Sequence, residues 1–303
     1  MEPSVIISLG SYMGNTLFMK REDLLPFSFG GNKARKAELF FQAIEQGGYD
    51  YVVTYGSGSS NHCRVVANEC ARRQLPCLII SPRESEGGSF NQQMVRLLGA
   101  AVKRVPLEEV HGEIERTMDK LREDGNNPYF IEGGGHGNIG TEAYRQCYRE
   151  IQAYEEANNM CFDYIFLASG TGTTQAGLVC GLLLAGHQKQ IIGISIARKN
   201  PRGREVVLDS VRSYLGDRVS EEQIQKATVF EDGYTEGYGE KDTRVRAVLL
   251  EVFRQYGIAL DATYTGKAFW GMEQYLERER VEGKNLLFLH TGGTPLFFDG
   301  LRE

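Results

Sequence analysis

Short apolar runs alternate with longer stretches in which apolar residues recur every three to four positions, and this rhythm holds over most of the chain. The run "YDYVVTYG" (49–56) reads as a buried strand, and after "SGSSNH" a helix is predicted from about Ser60 to Arg73. "LPCLIIS" (75–81) is the next strand and "FNQQMVRLLGA" (90–100) the next helix, with Met94, Leu97 and Leu98 on its apolar face. A strand over 100–106 and an amphipathic helix over 107–125 follow, and "PYFIEGGGHGN" (128–138) is a strand running into a glycine loop. A helix from about Thr141 to Asn158 leads to the strand "FDYIFLASG" (162–170), the helix "TTQAGLVCGLLLAG" (173–186) and the strand "QIIGISIA" (190–197). The rhythm then breaks over 198–244, around "EDGYTEGYGEKD", and this charged stretch is predicted to be a long functional or mobile loop. Helices near 243–256 and 267–282 precede a last strand, "NLLFLHTGG" (285–293). Strands and helices joined by glycine- and serine-rich turns are the mark of parallel βαβ units, so the predicted class is α/β.

With 303 residues the chain exceeds the usual single-domain size, and two lobes are expected. There is no Pro/Ser-rich linker, which predicts interleaved lobes. A hydrophobic share of 41% and a charged share of 24% are ordinary for a globular protein and exclude disorder. The net charge of −6 argues against nucleic acid and anionic membranes, and favours a small-molecule partner. No segment reaches the roughly 18 apolar residues of a membrane span, and "MEPSVIISLG" does not read as a signal peptide, so a cytoplasmic protein is expected. The six cysteines lack metal-ligand spacing and are read as reduced thiols, with no metal site. Cys63 follows His62, but neighbours on a helix point in different directions, so this pair reads as packing.

Open α/β sheets bind ligands beyond the carboxyl ends of their strands, so the glycine joints should converge. "SGTGTTQAG" (169–177) places glycines and hydroxyl residues between a strand and a helix N-terminus, a cradle for phosphate. It matches neither the Walker pattern nor the dinucleotide fingerprint. "GSGSSNH" (56–62) offers Ser59, Ser60, Asn61 and His62 at a second such joint, more polar groups than an N-cap needs, and suits a carboxylate. In "FGGNKARK" (29–36), Lys33 stands at a helix start, where the dipole disfavours a cation. A phosphate site, a carboxylate site and a lysine in a glycine loop together suggest pyridoxal phosphate and an amino acid.

"FGGNKARK", "SSNHCR", "SGTGTTQAGL", "YTGKAFWGM" and "HTGG" occur in an order and spacing that resembles the fold-type-II (tryptophan synthase β-like) pyridoxal-phosphate enzymes. The likeness runs from about Leu17 to Phe298 and is to the branch with 1-aminocyclopropane-1-carboxylate deaminase and D-cysteine desulfhydrase. It implies two lobes, each an open, mostly parallel sheet flanked by helices, with the cofactor between them. By this match residues 1–36 plus 149–303 form the large cofactor-binding domain and 37–148 an inserted small domain. Lys33 is the residue bonded to the cofactor aldehyde. Asn61 hydrogen-bonds the cofactor's phenolic oxygen, while Ser60 and His62 face the substrate carboxylate. Thr171, Gly172, Thr173 and Thr174 form the phosphate loop, and Tyr264 and Tyr238 are the tyrosines over the site. Where the deaminase has a glutamate facing the pyridine nitrogen this chain has Thr265, and Thr291 is the expected nitrogen partner. That change, and His62 in place of glutamine, resembles the desulfhydrase side.

The resemblance implies a lyase: β-elimination from a small amino acid to pyruvate and ammonia, a carbon–sulfur lyase of deaminase-like kind. A β-replacement synthase or a racemase would use the same first proton transfer. Relatives of this kind are commonly homodimers. Several departures lie on the substrate side: Ser59 in place of glutamine, a short region before Leu17, and "YGEKDTRVRA" after Tyr238. A reading from another class is a non-catalytic protein that holds a phosphorylated metabolite at the two glycine joints.

Overall fold

The computed structural model describes residues 2–85, 88–234 and 242–301. Strands β1 (Ile6–Tyr12) and β2 (Asn15–Arg21) form an antiparallel hairpin. Strands β3 (Tyr51–Tyr55), β4 (Cys77–Pro82), β5 (Ala101–Val105) and β6 (Pro128–Ile131) form a wholly parallel sheet in the order β5-β4-β3-β6. Strands β7 (Tyr164–Ser169), β8 (Gln190–Ser195), β9 (Val229–Glu231) and β10 (Asn285–His290) join the hairpin in a six-stranded sheet, β1-β2-β10-β7-β8-β9, parallel except for β1. The smaller sheet thus lies in sequence between strands of the larger one.

The helices are α1 (Asn32–Gln46), α2 (Asn61–Arg73), α3 (Phe90–Leu97), α4 (Val110–Glu123), α5 (Asn138–Ala157), α6 (Thr173–Ala185), α7 (Arg202–Leu215), α8 (Glu221–Ala227), α9 (Thr243–Tyr256), α10 (Thr265–Glu279) and α11 (Thr294–Gly300). None of them is long and apolar enough to cross a membrane among the described residues.

Parallel strands covered on both faces need continuous apolar runs, and Ile165, Phe166, Leu167, Ile191, Ile192 and Leu286 are fully buried. Each such side chain contributes about 1.5–3 kcal/mol on leaving water. Helix α6 is apolar on all sides and sits against α5 and β7 in the same core, the setting such a helix requires. Its Gln175 Nε2 donates to Val229 O at 2.6 Å, while Ser169 Oγ donates to Gln175 Oε1 at 2.8 Å, so the buried amide locks α6 to two strands.

Two local expectations are corrected. The segment 198–244 contains α7, α8 and β9 where a long loop was expected. Val207, Leu208, Val211 and Leu215 give α7 a buried stripe at helical spacing, and β9 pairs in parallel with β8. On α3 the buried residues are Asn91, Gln92 and Val95, and Leu97 is 86% exposed. The polar face turns inward there because Asn91 joins the network described below. Position 148 falls inside α5, whose Tyr144, Cys147 and Tyr148 pack in the core of the larger sheet.

Beneath the start of α1, Arg35 grips buried Glu22 through Nε at 2.6 Å and Nη2 at 2.8 Å, and Tyr144 Oη donates to the same carboxylate at 2.9 Å. Burial by itself raises the Glu22 carboxyl, but Arg35, Lys20 and the Ser4 hydroxyl override it and hold its pKa at about 2. This ion pair ties the turn after β2 to α1 and α5 under the lysine-bearing turn.

Candidate active site

A cavity of about 690 Å³ opens where the carboxyl ends of strands from both sheets meet. Its walls follow β3 at Gly56 and Ser57, β6 at Glu132 to Gly134, β7 at Gly170 to Gly172, β8 at Ile196 to Arg198, and β10 at Thr291 and Gly292. Five joints converge, as open α/β sheets require of a ligand site.

Lys33 is the second residue of α1 and lines the cavity. The chain reaches it through Ser28, Phe29, Gly30 and Gly31, which all have φ between 48° and 91°. Arg64 braces this strained run by donating to the Ser28 carbonyl and, at 2.7 Å, to Ser28 Oγ. The glycines are needed for contact too: a Cβ on Gly30 would lie 2.4 Å from Asp23 O, and one on Gly31 2.8 Å from Thr291 O. Lys33 Nζ donates to Gly134 O at 2.9 Å. Burial lowers its pKa to about 8, against an opposing pull from Cys63, so a usable fraction is free amine near neutral pH. The neighbouring Cys63 thiol is pushed up to about 12 by burial and is no nucleophile.

The orientation of Asn61 follows from a chain of bonds that starts at a group with donors only. Arg64 Nε donates to Asn91 Oδ1 at 2.8 Å, so Asn91 must turn its Nδ2 to Asn61 Oδ1 at 2.9 Å. Asn61 Nδ2 then remains as a donor on the cavity wall. Ser60 Oγ accepts from Cys63 N at 3.3 Å as the cap of α2, which leaves its hydroxyl hydrogen and the free first-turn amides for an anionic ligand. His62 turns Nε2 to Thr54 Oγ1 at 2.8 Å, and burial, then Lys33 and Lys36, lower its pKa well below the usual value.

Gly172 begins α6 in the left-handed region, with no side chain capping the helix, so its first amides face the cavity end of β7. Asn32 Nδ2 donates to Thr174 Oγ1 at 3.0 Å and Asn32 N to Thr291 O at 2.9 Å, which ties the lysine turn to two other walls. His136 Nδ1 meets Thr173 Oγ1 at 2.8 Å. Lys36 is 1% exposed, and its Nζ has no hydrogen-bond partner among the described residues. Burial, then the charge of Lys33, hold its pKa well below the usual value. Its side chain passes under the glycine loop, where a Cβ on Gly135 would lie 3.3 Å from Lys36 Cδ.

Of the residues read from the sequence, Lys33, Ser60, Asn61, His62, Thr171, Gly172, Thr174, Tyr264 and Thr291 line this one cavity. Thr173 lies just behind it, buried on His136. Tyr238 lies outside the described residues. Thr265 is buried away from the cavity, its hydroxyl donating to Asp261 Oδ2 at 2.8 Å, while Thr291 is on the wall. Sequence reasoning missed Asn32, Lys36, Gly134, His136 and Arg198; only the glycine run before His136 signalled a joint there.

A sequence profile of the pyridoxal-phosphate dependent enzymes matches residues 7–292. The chain belongs to the pyridoxal-phosphate dependent enzymes. It is 31% identical over 301 residues to D-cysteine desulfhydrase of Yersinia enterocolitica, covering 96% of this chain and 90% of that protein. A putative 1-aminocyclopropane-1-carboxylate deaminase of Pyrococcus abyssi is 28% identical, over 94% and 87% of the two chains. The crystal structure of an ACC deaminase homologue superposes with a TM-score of 0.87 at 27% identity, over 100% and 94%. A fungal L-serine ammonia-lyase from Rhizomucor miehei shares the fold, with a TM-score of 0.73 at 16% identity over 99% and 96% of the chains. The architecture is therefore fold type II. The cavity of this pyridoxal-phosphate dependent enzyme suits its cofactor on structural grounds. It holds a lysine with a lowered pKa, an open helix N-terminus beside hydroxyls and an outward amide donor.

Proposed function

We propose that this enzyme is a D-cysteine desulfhydrase-like lyase, removing a β substituent from a small amino acid to release pyruvate and ammonia. The observation that carries the reading is Lys33 Nζ, lowered to a pKa of about 8 on the wall of a cavity that also presents a carboxylate subsite and an anion cradle. Bound pyridoxal phosphate supplies the electron sink that stabilises negative charge at the substrate α-carbon. The first amides of α6 with the hydroxyls of Thr171 and Thr174 would hold its phosphate. Asn61 Nδ2 would donate to its phenolic oxygen, and the Thr291 hydroxyl would face its ring nitrogen, a neutral partner that would leave that nitrogen largely unprotonated.

Ser57, Ser60 and the first amides of α2 bind the substrate carboxylate and so orient the α-hydrogen. Lys33 as free amine takes that proton, and the Tyr264 phenol on the cavity wall donates or relays one, the role the sequence resemblance gives Tyr238 as well. We assign the lobes as residues 1–36 plus 149–303 and residues 37–148, a division that the two separate sheets support. A cytoplasmic homodimer is the assembly this reading expects, and light scattering of the purified protein decides the dimer.

The test is the visible spectrum of the purified wild type and Lys33→Ala, followed by a pyruvate assay on D- and L-amino acids with β leaving groups. A cofactor absorption band that the variant lacks, together with rapid pyruvate release, is the expected result. A wild type that stays colourless with added pyridoxal phosphate, or coloured protein that releases no pyruvate, overturns the lyase reading.

A further inference from the structure

The sequence resemblance places His62 against the substrate carboxylate, which would require an imidazole N–H or a positive ring. The hydrogen bonds around it do not provide either. Thr54 Oγ1 has a single hydrogen and lies 2.7 Å from Ile131 O, a carbonyl that only accepts. That hydrogen is therefore spent, and the Thr54 oxygen can meet His62 Nε2 at 2.8 Å only as an acceptor. Nε2 carries the ring proton, and in the neutral ring Nδ1 is a bare lone pair.

The surroundings keep the ring neutral. Burial and the charges of Lys33 and Lys36 disfavour a second proton, and no anionic group among the described residues is hydrogen-bonded to the imidazole. His62 lines the cavity, and Nδ1 has no hydrogen-bond partner among the described residues, yet it is not a buried orphan. It is open to the cavity, where a lone pair repels a carboxylate and accepts from a donor.

We propose that His62 is a specificity residue whose Nδ1 accepts a hydrogen bond from the β substituent of the substrate, selecting substituents that bear S–H or O–H. The carboxylate is left to Ser57, Ser60 and the α2 amides. This deepens the lyase reading and rests on it, since it names the feature of the amino acid that the cavity reads.

The experiment compares kcat/KM for cysteine, which carries the donor, with that for β-chloroalanine, which lacks it, in the configuration the enzyme accepts. His62→Leu removes the acceptor, and His62→Gln keeps it, because its amide can donate to Thr54 and turn its oxygen to the cavity. The expected result is a loss for cysteine about tenfold or more beyond that for β-chloroalanine in the leucine variant, largely restored in the glutamine variant. Equal losses on both compounds would mean that His62 holds a group they share, such as the carboxylate, and overturn the proposal. A readout free of turnover is the long-range proton–nitrogen NMR spectrum of histidine-labelled protein, in which a protonated His62 Nδ1 also overturns it. A wild type inert on both compounds removes the lyase reading itself, a result distinct from equal losses.

Discussion

Replacing Gly134 by alanine isolates what the glycine loop contributes to the lysine. Gly134 has a φ of +75°, and an added Cβ would lie 2.8 Å from Thr171 Cγ2 and 3.3 Å from Lys33 Nζ. Gly99, at the end of α3, has a φ of +76° with nothing within 4 Å of the same atom, so Gly99→Ala carries the backbone strain alone. That strain costs roughly 1–2 kcal/mol for a residue with a Cβ. Crowding at Gly134 adds roughly 1–3 kcal/mol, because Thr171 must rotate or its loop must shift. Gly134→Ala should therefore lose about 2–5 kcal/mol in urea unfolding of the cofactor-free protein, against about 1–2 kcal/mol for Gly99→Ala. The carbonyl that holds Lys33 Nζ at 2.9 Å belongs to Gly134, and Thr171 belongs to the anion cradle. The same substitution should thus weaken pyridoxal phosphate roughly 10–100-fold in an absorbance titration, the equivalent of one charge-assisted hydrogen bond. Gly99→Ala should leave that affinity alone. Equal stability losses in the two variants, or an unchanged cofactor affinity in Gly134→Ala, would refute the reasoning.

Three further outcomes follow from the buried polar networks. The Glu22 carboxyl is depressed from 4.5 to about 2, so its stabilisation is complete above pH 4.5 and is lost as the pH falls toward 2. This group alone contributes about 3 kcal/mol of that loss, and acid unfolding of Glu22→Gln should be correspondingly shallower. Arg35→Ala leaves the carboxylate buried without its main partner and should cost about 3–5 kcal/mol at pH 7 in urea unfolding. Asn91→Asp replaces the donor that faces Asn61 Oδ1 with an acceptor, which forces Asn61 to turn its own donor inward. Cofactor affinity should drop about tenfold or more by absorbance titration; an unchanged affinity would show that the relay from Arg64 does not set the Asn61 amide.

Much of this protein was legible one segment at a time. Buried parallel strands announce themselves as apolar runs such as "FDYIFLASG", and glycine-rich joints in the sequence mark Lys33, Asn61 and the Thr171 to Thr174 loop. Local periodicity determined these elements because the energetics of a strand or helix are set largely by neighbours in sequence. The stretch from 198 to 244 misled because its charges and glycines outweighed the buried stripe of α7, and that stripe has meaning only against α6 and β9.

What tertiary structure alone decided is polarity and partnership. No pattern in "NKARK" distinguishes Lys36 from a solvated surface lysine; packing under the glycine loop buries its amine with no hydrogen-bond partner among the described residues. The buried face of α3 is rotated toward Asn91 because Asn91 meets Arg64, 27 residues away, and Asn61, 30 residues away. The tautomer of His62 depends on a threonine hydroxyl whose hydrogen is taken by a carbonyl 77 residues further on. Hydrogen-bond direction is inherited from whichever group in a network has no choice, and only the folded chain brings that group into contact.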